Sequence, residues 1–467
     1  MKQLLSLILT LVAAVTAGAT PDWQPAVETM IDNGEFARAT TTMKRLPRAT
    51  RRADAVVIDS LETIMSRIRA DFTMTPEQGI ALIRERMPEV TDAQIERWKA
   101  TRKIEVMNID GTEWWFRKSV RNLWLLADEF DNDHSVEREK SVAHNLAIYR
   151  ESMRHAPDFN GVRDRRTFTV RFTLDVDADA VPAGETVKVW MPLPYENMRQ
   201  SNVTYLDGNR EVRFSKGSRH HTVYMEATAV KGKPTHFEYR FRYTVGERHV
   251  TQQDLLMLVE PYDTTTSFYR EYTAQQLPHI IVDNDMRNLA REIVGDELNP
   301  VRQAKMVYEW ISRSFPWAGA REYSTIRCMP RYVLLNRHGD CGQVTLLYIS
   351  LCRSLGIPAR WESGWVVEPG DEGWHDWAET YFEGIGWVPT DQSYGRSTID
   401  NPLNDYYAAG IDLYRMASNE GIGDRLDPPK TFIRSETVDF QPGEVEWRGG
   451  NLYYDKWDSS LKVEKVE

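Results

Sequence analysis

The spacing of hydrophobic positions changes several times along the chain, and each change predicts a different kind of element. From about residue 22 to 155 the pattern is mainly helical, with Thr75-Pro76-Glu77 and Thr91-Asp92 as helix starts. Within it, Ile104 to Phe116 places Asp110-Gly111 between two β-prone runs, the mark of a hairpin. From about 165 the period becomes two: Phe168, Val170, Phe172 and Leu174 alternate with polar residues, and His236 to Val245 repeats the pattern. Turn-rich pieces such as Pro182-Ala183-Gly184 separate these runs, which predicts a β-sandwich-like domain over 165–262. Helix returns near 284–313, where Asn299-Pro300 caps an apolar face of Ala304, Val307, Tyr308 and Ile311. The predicted organisation is a mainly helical region at 20–160, the β domain at 165–262 and a mixed core at 280–400. A C-terminal extension at 401–467 is expected to pack on that core. The fold class is α+β.

The richest pattern lies between 337 and 391. Val344, Leu347, Tyr348, Leu351, Cys352 and Leu355 form one stripe at helical spacing. Gly356 and Pro358 stop that helix, and Asp340 is placed to cap its start. Trp374 to Phe382 reads as a strand with His375, Trp377, Glu379 and Tyr381 on one face. Trp387-Val388 begins a return strand that reaches Asp391. A three-residue loop would pair Phe382 with Gly386 and bring Asp391 diagonally within reach of His375; a loop of two or four would not, unless a bulge intervened near Pro389.

Composition narrows the function classes. With 58 Lys+Arg against 69 Asp+Glu, the net charge of −11 argues against a polyanion-binding chain. The order of two short helices and a hairpin also occurs in winged helices, but in an acidic chain it reads as a packing module, and no nucleic-acid partner is expected. The acidic run Asp128, Glu129, Asp131, Asp133 fails the EF-hand pattern, with Val136 in place of Gly and Val142 in place of Glu. Residues 1–19 read as a cleaved signal peptide: Lys2, an apolar run from Leu4 to Ala14, and Ala17-Gly18-Ala19 at the cleavage position. The run is shorter than the ~20 residues that span a bilayer, so export to the periplasm or medium is expected without stable membrane insertion. Oligomeric state has no marker in the sequence.

Three cysteines, Cys328, Cys341 and Cys352, are too few for a disulfide framework and leave at least one thiol over. Cys352 falls on the apolar stripe, where a thiol acts as a small hydrophobe. Cys341 falls in the first helical turn, where free N–H groups and the helix dipole favour a thiolate. His375 is the only histidine downstream of it, and Asp391 is placed to orient that imidazole. Together they make a candidate Cys–His–Asp relay.

The same segment resembles the transglutaminase-like superfamily with its papain-like core. The resemblance rests on Gly339-Asp340-Cys341, on Leu355 to Arg360 (L-G-I-P-A-R), on His375-Asp376-Trp377-Ala378-Glu379 and on Gly386-Trp387…Asp391. The strand Val189 to Pro194 is similar to one in a β domain that precedes the core in bacterial relatives. The resemblance implies Cys341 as nucleophile, His375 as general base and then acid, and Asp391 as the residue that fixes the imidazole. It also implies attack on an amide carbonyl of a peptide or protein, with an upstream aromatic, here Trp317, aiding the oxyanion hole. The alternative for Trp317 is a core tryptophan. No cofactor or metal is expected. Hydrolysis is favoured over acyl transfer; protein crosslinking and a non-catalytic scaffold on the same fold are the competing expectations.

Overall fold

The computed structural model describes residues 20–158, 160–394 and 402–467. The proposed signal peptide lies outside the described residues. The chain forms two compact units, one from residues up to 81 together with 106–117, the other from 82–105 and 118–467.

In the first unit, helices Gln24–Asp32, Phe36–Arg45 and Ala55–Asp71 bury Ile31, Phe36, Met43, Leu61, Met65 and Ile68 against one another. The hairpin Val106–Ile109 and Thr112–Trp115 turns through Asp110-Gly111, both at positive φ (52° and 91°), as a two-residue primed turn requires. Ile109 and Phe116 add to the same core.

The larger unit has α+β architecture with a β region and a mixed core. Its long strands Val162–Val176 and Thr235–His249 pair antiparallel, and their inward residues Phe168, Val170, Phe172, Phe237, Tyr239 and Phe241 are fully buried. A second sheet runs through Thr186–Pro192 and Thr222–Thr228 and buries Val187, Val189, Val223 and Met225 in the same core. Leu403, Tyr406, Tyr407 and Ile422 pack into the mixed core as expected of the C-terminal extension, but its last part needs correction. Trp457–Val466 pairs with Val162–Val176, and Glu444–Trp447 pairs with Thr186–Pro192. Residues 444–466 therefore extend both sheets of the β region instead of packing on the core as an extension. The physical cause is visible in Leu461 and Val463, whose period-two spacing turns both toward the β core.

The mixed core holds a four-stranded antiparallel sheet in the order Gly386–Thr390, Gly373–Phe382, Ala359–Val366, Arg415–Glu420. Helix Cys341–Ser354 packs on it. Every residue of that helix from Gly342 to Arg353 is buried, so it is central to the core rather than half-exposed behind a single apolar stripe. Its polar positions are accommodated individually: Thr345 Oγ1 donates to Gln392 Oε1 at 3.0 Å, Ser350 Oγ accepts from Ile281 N at 3.1 Å, and Arg353 Nε donates to the Ala359 carbonyl at 2.9 Å. Helix Pro300–Ser314 flanks it, capped by Asn299 and burying Ala304, Val307, Tyr308 and Ile311. Among the described residues, no helix is long and apolar enough to cross a membrane.

Candidate active site

The start of the Cys341 helix is fixed twice. Asp340 and Gln343 form a capping box: Gln343 N donates to Asp340 Oδ1 at 3.1 Å, and Asp340 N donates to Gln343 Oε1 at 3.2 Å. Upstream, Trp317 lies in a parallel bridge with Gly339; Gly339 N donates to the Pro316 carbonyl and Ala318 N to the Gly339 carbonyl, both at 3.3 Å. Gly342 permits the close packing behind the cysteine. A Cβ there would stand 2.2 Å from Tyr323 Oη and 2.6 Å from Asp376 Oδ2, so any larger residue collides.

The hairpin that carries His375 has the register a three-residue loop demands. Phe382 pairs with Gly386, Thr380 with Val388 and Ala378 with Thr390, through the turn Glu383-Gly384-Ile385, in which Gly384 sits at φ +82°. One step further places Asp391 opposite Trp377 and diagonal to His375. The result is a buried ion pair, His375 Nε2 to Asp391 Oδ2 at 2.6 Å. Asp391 Oδ1 accepts from Ser393 N at 3.0 Å and Tyr394 N at 3.4 Å, and Arg415 Nε lies 3.9 Å from Oδ2. Burial alone would raise the Asp391 pKa, but His375, Arg415 and the Ser393 N–H hold it below the usual carboxylate value. The Tyr394 ring meets the imidazole edge to face at 5.0 Å, and the Arg415 guanidinium lies 4.0 Å over that tyrosine.

Cys341 is half-buried, and its thiol donates to Asp376 Oδ2 at 3.4 Å. This brings the sulfur to the residue that follows His375 on the strand. The expectation of a dipole-favoured thiolate is corrected by this contact. Burial first, then negative charge on Asp376 and Asp340, pushes the thiol pKa well up, against the partial charges of the helix terminus.

Several residues of the site were not singled out from sequence. Gln441 Nε2 donates to Asp376 Oδ1 at 2.5 Å and to the His375 carbonyl at 2.8 Å, tying a distant loop to the histidine strand. Glu362 accepts from Trp377 Nε1 at 2.5 Å, from Asn197 Nδ2 at 3.3 Å and from the Tyr195 hydroxyl, which anchors the strand from behind. Burial, with Glu379 nearby, pushes its pKa up to about 7. None of these has a motif; period-two patterning alone marks Glu362 as an odd polar residue in an apolar strand.

The other acidic and aromatic residues around the sheet separate cleanly. Glu379 braces the sheet through Arg360 (2.7 Å), which also binds Glu420 at 2.8 Å and stacks 4.4 Å over Trp387. Trp361 and Trp365 are core residues, whereas Trp374 is 53% exposed. Trp317 is 43% exposed beside Gly339, so it is not a core tryptophan. All three cysteines are free; Cys352 is fully buried, which pushes its thiol up to about 12.

Residues 287–392 match the family model of the transglutaminase-like superfamily, and the match spans the Cys341 helix, three of the four strands of the sheet and Cys341, His375 and Asp391. This part of the chain is a transglutaminase-like core, a fold of the papain-like kind. An uncharacterised protein of Haemophilus influenzae is 22% identical over 293 residues, covering 52% of this chain and 73% of that one. Among solved structures, a candidate cysteine protease from Cytophaga hutchinsonii aligns over 65% of this chain and 92% of its own, at 15% identity and a TM-score of 0.43. The periplasmic domain of TgpA from Pseudomonas aeruginosa aligns over 51% and 92%, at 14% identity and a TM-score of 0.25.

Proposed function

We propose that the protein is an exported thiol enzyme that attacks an amide carbonyl of a peptide or protein substrate through Cys341, with water completing the reaction. The observation that carries this reading is the buried 2.6 Å His375–Asp391 pair, on the strand whose next residue, Asp376, takes the Cys341 thiol. With Nε2 committed to Asp391, Nδ1 is the ring nitrogen that takes the thiol proton. The sulfur then bonds to the carbonyl carbon, and His375 returns the proton to the departing amine. The thioester is cleaved by a water that His375 deprotonates, which restores the thiol. Asp391 holds the tautomer and offsets the imidazolium charge.

Of the first-turn N–H groups, that of Gln343 is taken by the Asp340 cap; those of Cys341 and Gly342 serve the oxyanion, with exposed Trp317 alongside. Water is the favoured acceptor because it is abundant wherever an exported protein works. Export follows from the N-terminal pattern of Lys2, Leu4 to Ala14 and Ala17-Gly18-Ala19.

Iodoacetamide labelling at pH 6 tests the relay: rapid, selective modification of Cys341 that disappears in His375→Ala is expected. A Cys341 no more reactive than Cys352 would sink the enzymatic reading. Ammonia release from a glutamine peptide, with and without an added primary amine, then separates the acceptors. Covalent incorporation of the amine would overturn hydrolysis in favour of transfer.

A further inference from the structure

Behind the nucleophile lies a group of acidic side chains that the proposed relay does not use. Asp376 is 2% exposed and lies between two hydrogen-bond partners of different kinds. On one side its Oδ2 takes the Cys341 thiol at 3.4 Å, with Tyr323 Oη at 3.5 Å; on the other it shares a side-chain hydrogen bond with Asp439, also buried. A carboxyl-to-carboxyl hydrogen bond requires a proton between the two groups, since two bare carboxylates at contact in an unsolvated site repel.

The surroundings keep that proton in place. From the Cys341 helix, the ionisable groups facing Asp376 are Asp340 and Cys341; from the turn Tyr323–Thr325 it is Tyr323. From the 435–443 segment they are Asp439 and Glu436, and Gln441 adds a neutral donor. The cation at that segment, Arg434, donates to the main-chain carbonyls of Asp439 and Asp424. Burial and the Asp340 charge accordingly push Asp376 up to about 8, against the pull of its bonds to Asp439 and Cys341.

We propose that Asp376 is a positioning residue that supports the Cys341 nucleophile only as a neutral carboxylic acid, so that ionisation of the Asp376–Asp439 pair switches the thiol off. The inference rests on the thiol-enzyme reading and adds a control to it. While Asp376 is neutral, the Cys341 proton moves to His375 and the Asp376 O–H turns onto the sulfur it leaves behind. Once Asp376 has lost its proton to solvent, the carboxylate accepts the S–H and opposes a second negative charge 3.4 Å away.

The consequence runs against ordinary thiol chemistry, in which alkylation accelerates as pH rises toward the thiol pKa. Iodoacetamide labelling of Cys341 in the full chain, followed by peptide mapping from pH 5 to 10, reads it directly. The wild-type rate should rise from the acid side and then fall at least tenfold between about pH 7.5 and 9.5. Asp376→Asn, which keeps a donor at every pH, should lose that alkaline fall. Asp439→Asn, whose amide donates to an ionised Asp376, should move the fall about one pH unit lower.

A wild-type Cys341 that is reactive and His375-dependent, yet accelerates steadily through pH 10, overturns the role of Asp376 and leaves the relay standing. An Asp376→Asn profile superimposable on wild type does the same. A Cys341 inert at every pH overturns both.

Discussion

The two ends of one helix carry the same functional group in opposite settings. At its start, Cys341 meets a capping aspartate, a second buried carboxyl and a histidine strand. Eleven residues on, Cys352 lies among Tyr348, Leu351 and Ile357 in the apolar core. Both thiols are pushed up, but for different reasons: Cys352 by burial, Cys341 by burial and also by negative charge. Only the second cause can be relieved by moving a proton. Position along a helix thus decides whether a cysteine is inert packing or a group whose reactivity its neighbours set.

The sharpest way to break the comparison is to remove each sulfur. Cys341→Ala should abolish turnover, a loss of roughly 10⁴-fold or more, with the melting temperature nearly unchanged; activity surviving within tenfold would refute the assignment. Asp391→Asn, isosteric and still buried, should lower kcat/KM by roughly 10³-fold by freeing the imidazole orientation. An unchanged kcat/KM would show that the pair is structural. Cys352→Ser should leave kcat intact while costing about 1–3 kcal/mol, because a hydroxyl is placed where a small hydrophobe packed; urea denaturation measures it.

A subtler difference is the pH dependence of stability. For Asp376 the folded pKa of about 8 lies above the unfolded value near 3.9. Between these values unfolding releases a proton, so the fold weakens as pH rises, by up to about 1.4 kcal/mol per pH unit for this group. Asp391 has the opposite sign: its depressed pKa contributes stability that is present above about pH 4 and lost as pH falls through the folded value. Melting temperatures at pH 5.5 and 8 should therefore fall in wild type and fall less in Asp376→Asn. An identical slope in the two proteins would show that Asp376 does not carry the proton.

The hairpin and the cap were legible because local chemistry determines them. Asp340 caps the helix, Gly384 permits the turn, and a three-residue loop then dictates which residue faces His375. The Cys341 thiol's setting was not legible, because Asp439 and Gln441 reach Asp376 from about 65 residues away in sequence. Helix dipole arguments see only the helix; the charges that oppose it arrive through tertiary packing. The burial of the Cys341 helix on all sides was hidden for a similar reason, since Thr345, Ser350 and Arg353 look solvent-facing until their partners Gln392, Ile281 and Ala359 are known.

The pairing of Val162–Val176 with Trp457–Val466 joins strands about 300 residues apart, with the whole transglutaminase-like core in between. During synthesis at ~5–20 residues per second, the first strand emerges roughly 15–60 s before its partner exists. Throughout that interval one edge of the sheet has open N–H and C=O groups, the condition under which β-sheets recruit wrong strands. The β region is thus the part of this protein that depends most on being kept apart from other nascent chains, and it cannot be completed until the segment that follows the core has arrived.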